Sequence, residues 1–246
     1  VLSSSFMPWY IGTTTPNVRG YYMYQSFRTG DLLAVIDGVD LVKLRTGAKS
    51  AVAVKYLAKE NSKTLGLIGL GQQMKTQVEA ISKVRSINKV IAWTRSPEKH
   101  GDTIKYIKEK TGLDVQLANK EAVMQNSDIV VVSTLSKETL VSFVNAKKGQ
   151  LVISTAHSIE VSKDFVISAE TYVDYYQTAQ NEFGPVKAAI DDGFDFKSLA
   201  GDLTELVSGK KKGRGNDDEI IMFQSLGVMC ENLAVVEYLY NRIYNL

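Results

Sequence analysis

The stretch Leu65-Gly66-Leu67-Ile68-Gly69-Leu70-Gly71-Gln72-Gln73 constrains the fold more than any other part of the chain. Its apolar start reads as a short buried strand. Residues 72–84 read as a helix with Met74, Val78 and Ile81 on the inner face. Two glycines between a strand and a helix force a sharp turn at Gly69 and leave the backbone at Gly71 bare. The first N–H groups of the helix then face outward with the positive end of the helix dipole, which suits a pyrophosphate. The turn predicts a dinucleotide site that includes Gly69, Gly71, Gln72 and Gln73; a ligand-free strand–helix turn is the alternative. The third small position of this fingerprint is occupied by Met74. Its bulk predicts a helix pushed away from the strand or tilted against it.

The flanking sequence repeats the alternation. Strands are expected over 89–93, 128–133, 151–154 and 172–174. A further helix is expected to begin at the Ser96-Pro97-Glu98 cap and to stop at Gly112. The continuous run Ile129-Val130-Val131-Val132 is apolar on both faces, as in a parallel sheet covered by helices. The fold class is therefore α/β, a Rossmann-type doubly wound parallel sheet. Ahead of it, Tyr21-Tyr22-Met23-Tyr24 and Leu32-Leu33-Ala34-Val35-Ile36 predict a hairpin turning at Arg28-Thr29-Gly30-Asp31. A helix is expected over about 44–59. Residues 218–241 read as one long helix, with Asp217-Asp218-Glu219 complementing its N-terminus and Cys230 in its core face. This organisation predicts a smaller α+β domain from 1–60 with 220–246, and a nucleotide-binding domain over 61–219. The patch Gly209-Lys210-Lys211-Lys212-Gly213-Arg214-Gly215 reads as a solvated loop.

Composition narrows the partners. The 29 Lys+Arg against 27 Asp+Glu give a net charge of +2, which offers no footprint for nucleic acid or an anionic membrane. No apolar run approaches the ~18 residues of a membrane span, and the first residues do not resemble a signal peptide. One cysteine and two histidines leave no internal disulfide and no metal site, so a reducing cytoplasm is expected. At the end of the second strand, Thr94-Arg95-Ser96 lacks the acidic residue that an NAD site commonly places on the ribose. An arginine between two hydroxyls suits a 2′-phosphate, a charge-assisted contact of ~1.5–3 kcal/mol. NADP(H) is therefore the preferred cofactor, with NAD(H) possible.

Three blocks then occur in order: Leu44-Arg45-Thr46-Gly47-Ala48, Leu67-Ile68-Gly69-Leu70-Gly71-Gln72-Gln73, and Asp217-Asp218-Glu219-Ile220-Ile221-Met222-Phe223-Gln224-Ser225-Leu226-Gly227. With Met7-Pro8 and Val35-Ile36-Asp37-Gly38, they resemble the ornithine cyclodeaminase/μ-crystallin family from about Met7 to the end of the chain. The resemblance implies a Rossmann domain and a second domain made from both chain ends, usually the site of dimerisation. A homodimer is thus expected. It implies hydride transfer between nicotinamide and the α-carbon of a small amino or imino acid, as in ornithine cyclodeaminases, alanine dehydrogenases and cyclic imino acid reductases. By position, Arg45 matches the arginine that binds the substrate carboxylate, and a planar fork suits that task. A structural ion pair is its alternative role. Thr134 and Ser136 match the loop beside the nicotinamide ribose, Ser225 and Gly227 a segment near the nicotinamide, and Thr46 a residue near the pyrophosphate.

The chain departs from the family at two chemical positions. The family lysine expected between Met7-Pro8 and the strand near Val18 is missing from the short interval 9–17, and Ser158 stands where the cyclodeaminase aspartate is expected. A serine is a poor base unless activated, whereas reduction of a C=N bond needs hydride, a held carboxylate and one proton donor. His157 or water could supply that proton. Imine reduction or an alanine-dehydrogenase-like reaction is therefore expected. Ornithine cyclodeamination and a non-catalytic NADPH-binding protein remain the alternatives.

Overall fold

The computed structural model describes the backbone of residues 2–6 and the whole of residues 20–134 and 136–244. Met7-Pro8 and the interval 9–17 lie outside the described residues. In chain order the first elements are β1 (Leu2–Phe6), β2 (Tyr21–Gln25), β3 (Leu32–Asp37), α1 (Gly38–Leu57), β4 (Thr64–Ile68), α2 (Gln72–Ser82) and β5 (Lys89–Trp93). There follow α3 (Gly101–Thr111), β6 (Val115–Leu117), α4 (Lys120–Asn126), β7 (Ile129–Val132), β8 (Leu151–Ser154), α5 (Lys163–Ser168) and β9 (Glu170–Val173). The last are α6 (Tyr176–Asn181), α7 (Pro185–Asp191), β10 (Gly201–Asp202), α8 (Leu203–Val207), β11 (Ile221–Gln224) and α9 (Met229–Tyr244). They form two compact units: Val1–Arg45 with Val228–Leu246, and Thr46–Gly227.

In the smaller unit, β1, β2 and β3 make an antiparallel sheet in that order. The expected hairpin is present. Gly30 takes φ 78°, and its N–H donates to Ser26 O. Strand alternation buries Tyr22 and Tyr24 and turns Tyr21 and Met23 outward. The two buried tyrosines pack with Leu41 and with Val236 of α9, which gives a marginal hairpin its core. Helix α1 begins at Gly38, earlier than the apolar spacing suggested, because the Asp37 carboxylate accepts from Val39 N at 2.8 Å.

The larger unit holds an eight-stranded sheet ordered β10-β9-β11-β8-β7-β4-β5-β6, with every pair parallel. Alternate residues feed two cores. Leu65, Leu67, Ile129, Val131, Leu151 and Ile153 face the layer of α1, α2 and α3. Val130, Val132 and Val152 face that of α4, α5 and α7. This is why these strands are continuous apolar runs. Met74 is fully buried in the first core, alongside Leu67, Leu70 and Val78. Close approach is supplied at other glycines. A Cβ on Gly47 would lie 2.6 Å from Thr76 O, and one on Gly66 would lie 2.5 Å from Ser127 Oγ.

The C-terminal segment differs from expectation. Residues 218–241 are not one helix: β11 is a fully buried strand between β8 and β9, Gly227 turns the chain at φ 103°, and α9 starts only at Met229. An apolar run short enough to be a strand sits at spacings that also suit a helix face, so periodicity alone misled. Asp218 and Glu219 therefore precede a strand. Asp218 pairs with Lys148 at 3.0 Å, and Glu219 accepts from Gly215 N at 2.8 Å. Cys230 is exposed rather than core. The units divide at 45/46 and 227/228, whereas the sequence placed the divisions at 60/61 and 219/220. Residues 97–99 form only a 3-10 turn, Ser96 gives no side-chain cap, and α3 starts at Gly101.

Two arginines close the C-terminal end of α1. Arg85 donates from Nη2 to Val54 O (3.0 Å), Lys55 O and Ala58 O, and from Nε to Lys59 O (3.1 Å). Arg214, in the basic loop, donates from Nε to Leu57 O at 2.8 Å and is no simple solvated side chain. A cation on the last carbonyls complements the helix dipole as well as satisfying them. Arg85→Met should cost about 2–3 kcal/mol, since several half-buried carbonyls lose a charged donor. Urea unfolding should show a lower midpoint with an unchanged m-value.

Candidate functional site

The sheet order reverses between β4 and β7: β5 and β6 lie on one side of β4, and β7 and β8 on the other. Loops leaving these two strands diverge, which opens a crevice at their C-terminal ends. Gly69, Thr94 to Ser96, Thr134, His157, Ser158 and Ser225 all follow C-terminal ends of parallel strands, so the sheet gathers them along one edge.

The two glycines of the turn have different reasons. Gly69 has φ 98°, donates its N–H to Trp93 O at 2.8 Å, and leaves no room for a side chain. A Cβ there would lie 2.5 Å from Ser133 O and 2.9 Å from Thr134 Cγ2. Gly71 has ordinary extended backbone, φ −67° and ψ −179°, and a Cβ on it would meet nothing within 4 Å. It is the N-cap of α2, yet no side chain caps that end and no acid lies in the first turn. Open space thus lies before a helix N-terminus that the chain leaves available. Gln72 is exposed there, and the buried Oε1 of Gln73 has no partner among the described residues. These features fit a nicotinamide dinucleotide: bare backbone at Gly71 and uncapped helix N–H groups are what a pyrophosphate uses.

After β5, Arg95 is exposed and makes no hydrogen bond or ion pair among the described residues, with Thr94 and Ser96 half-buried beside it in sequence. No α-helix starts at Ser96, so a helix dipole does not add to its charge. After β7, the Thr134 hydroxyl accepts from Ser136 N at 3.0 Å, and Ser136 Oγ donates to Glu138 O at 3.1 Å. After β11, Ser225 N donates to Ser154 O at 2.8 Å, while the buried Oγ of Ser225 has no partner among the described residues. Thr46 is buried on α1.

His157 holds the same region together. Its Nε2 lies 3.1 Å from Leu226 O, so Nε2 carries the proton, and Nδ1 lies 3.5 Å from Glu182. Both ring nitrogens face protein groups. The Ser158 hydroxyl is buried beside the Glu160 carboxyl.

Arg45 belongs to the smaller unit. Its Nη1 meets Glu231 Oε2 at 3.4 Å, and its buried Nε has no partner among the described residues. Burial pushes the Tyr22 phenol upward, while the Arg45 charge and an Asn232 hydrogen bond act against it.

Sequence reasoning missed two buried ionisable features in the larger unit, made of three side chains. The first is an ion pair. Lys49 Nζ meets Asp174 Oδ2 at 2.6 Å, and the same carboxylate accepts from Gly227 N at 2.6 Å and from Tyr175 N at 2.9 Å. Lys49 lies on the buried side of α1, one turn before Ala53, a placement that the helix spacing does contain. The second is Glu160. It is fully buried, and burial raises its carboxyl to about 7, against the Thr134 hydrogen bonds and the nearby Ser158 hydroxyl. Its signal was a charged residue between Ile159 and Val161.

Comparison with known proteins places this geometry. Delta(1)-pyrroline-2-carboxylate reductase of Bacillus thuringiensis subsp. konkukian is 34% identical over 237 residues, spanning 92% of this chain and 71% of that protein. The structure of Thermococcus litoralis Delta(1)-pyrroline-2-carboxylate reductase in complex with NADH and L-proline superposes with a TM-score of 0.92 at 28% identity, covering 100% of this chain and 79% of that one. An archaeal alanine dehydrogenase dimer with bound NAD superposes with a TM-score of 0.90 at 26% identity, over 99% and 78% of the two chains. The model of the ornithine cyclodeaminase/mu-crystallin family matches residues 10–245, and the chain belongs to that family.

Proposed function

We propose that this chain is an oxidoreductase that transfers hydride between a nicotinamide coenzyme and the α-carbon of a small imino or amino acid. The observation that carries the reading is the open space over Gly71, in front of an uncapped α2, in a chain whose relatives include imino acid reductases and a dehydrogenase. The bound coenzyme supplies or accepts the hydride. The backbone at Gly69 and Gly71, with Gln72 and Gln73, cradles the pyrophosphate, and Thr46 borders it. Thr134 and Ser136 border the nicotinamide ribose, and Ser225 and Gly227 the nicotinamide. Arg45, whose buried Nε has no partner among the described residues, grips the substrate carboxylate. His157, engaged at both nitrogens, supports the Leu226 carbonyl, so water is assigned as proton donor. A buried Ser158 hydroxyl in place of an aspartate favours imine reduction over cyclodeamination.

NADP(H) is the preferred coenzyme because Arg95 is exposed, uncommitted and flanked by two hydroxyls. The two similar structures hold NADH and NAD, so the preference rests on this arginine. A homodimer is supported by the outer face of the smaller sheet. Tyr21, Met23, Leu32 and Val35 are exposed there, with Met23 directly opposite Val35. Among the described residues no helix is long and apolar enough to cross a membrane. The exposed free thiol of Cys230 suits the reducing cytoplasm, where we place the protein.

The glycines give the sharpest test. Gly71→Ser should keep stability or raise it by a few tenths of a kcal/mol (~0.3), because serine caps α2. It should weaken NADPH at least about tenfold by filling the cradle. Gly69→Ala should instead lower the unfolding midpoint. Wild-type coenzyme affinity in Gly71→Ser would refute the cradle. Arg95→Asp should weaken NADPH about 10–100-fold and leave NADH nearly unchanged, as fluorescence titration would show. Arg45→Ala should abolish oxidation of NADPH by a five-membered cyclic imino acid while leaving coenzyme binding intact. Tight coenzyme binding with no turnover on any imino acid would instead mark a non-catalytic protein.

A further inference from the structure

Glu160 grips the loop after β7 at both ends. Its backbone carbonyl accepts from Leu140 N at 2.8 Å and from Val141 N at 3.0 Å, and Val141 forms a parallel bridge with Val161. Its side chain reaches back to the start of the same loop. Oε2 accepts from Thr134 N at 3.0 Å and from Thr134 Oγ1 at 2.5 Å. The Thr134 hydroxyl then has its proton directed to Glu160 and a lone pair directed to Ser136 N. One acid thus holds Thr134 with its side chain and Leu140 and Val141 with its backbone carbonyl. A neutral, apolar side chain of equal size would fill the space but could not orient Thr134.

We infer that Glu160 is a positioning residue for the coenzyme, holding the loop after β7 in the shape that receives the nicotinamide ribose. The inference rests on the proposed function, which puts Thr134 and Ser136 beside that ribose. A carboxylate is the form that accepts both Thr134 bonds as charge-assisted contacts. Its carboxyl, raised to about 7 by burial, is partly protonated at neutral pH. Coenzyme binding that fixes the loop favours the charged form, so binding near pH 7 releases a proton and strengthens as pH rises. No neighbouring charge accounts for that titration. Lys163 pairs with Asp192, Asp164 accepts from Phe143 N, His157 faces Glu182 and Leu226 O, and Lys137 and Glu138 are exposed.

Calorimetry of NADPH and NADH binding, in two buffers of different ionisation enthalpy between pH 6 and pH 8.5, tests this directly. The wild type should release protons on binding near pH 7, and its affinity should rise about five- to tenfold across the range. Glu160→Gln should bind about five- to tenfold more weakly at pH 8, with no proton release and a flat profile. Glu160→Asp should recover part of the pH dependence, and Thr134→Val should lose it. Wild-type affinity and proton release in Glu160→Gln would overturn the inference while the coenzyme site stands. So would a wild type that binds coenzyme with no proton release, a result that needs no variant to fold. No heat with either coenzyme at pH 8 in the wild type would instead overturn the proposed function, and this inference with it.

Discussion

The larger unit is organised by one close passage of backbone. At Gly69 the chain leaves β4 so near to the Ser133 carbonyl that not even a methyl group fits between them. Because β4 and β7 are parallel neighbours, with Ile68 opposite Val132, their following loops must share the same ground before they part. A left-handed residue at Gly69 solves this by turning the chain at once into α2. The helix axis, the bare residue before it and the crevice beside it all follow from that turn. The Met74 side chain goes into the core beside Leu67 and Leu70, and α1 and α2 approach closely at Gly47.

Much of this was legible in the sequence because it depends on local chemistry. Strands such as β7 are apolar at every position, and a strand–glycine–helix succession has few structural meanings. The segment around β11 was misread because a short, wholly buried strand and one side of a helix can show the same apolar residues. The breaker was visible: Gly227 sits between β11 and α9. Lys49 and Glu160 were less legible for another reason. Lys49 meets its partner 125 residues away, and Glu160 meets Thr134 26 residues away. A sequence records a charge but not the burial that gives the charge its importance.

The polar groups along the sheet edge differ in how completely the protein satisfies them. Asp174 receives three donors, and the Thr134 hydroxyl both gives and receives. Gln73 and Ser225, by contrast, bury an oxygen without a partner among the described residues. Satisfied groups fix loops, and unsatisfied ones mark where a ligand's polar atoms can be received. The edge is therefore a rigid frame with a few open valences, an arrangement suited to binding without rearrangement of the sheet.

The Asp174 carboxylate also ties together the two ends of the larger unit. The chain crosses between its two units twice, after Arg45 and after Gly227. Lys49 stands one helical turn past the first crossing, and the Gly227 amide is the last donor before the second; both end on the same oxygen. Two tethers far apart in sequence are thus moored to a single atom. Neutralising that atom would release both ends of the larger unit together, although 182 residues make up the chain between them.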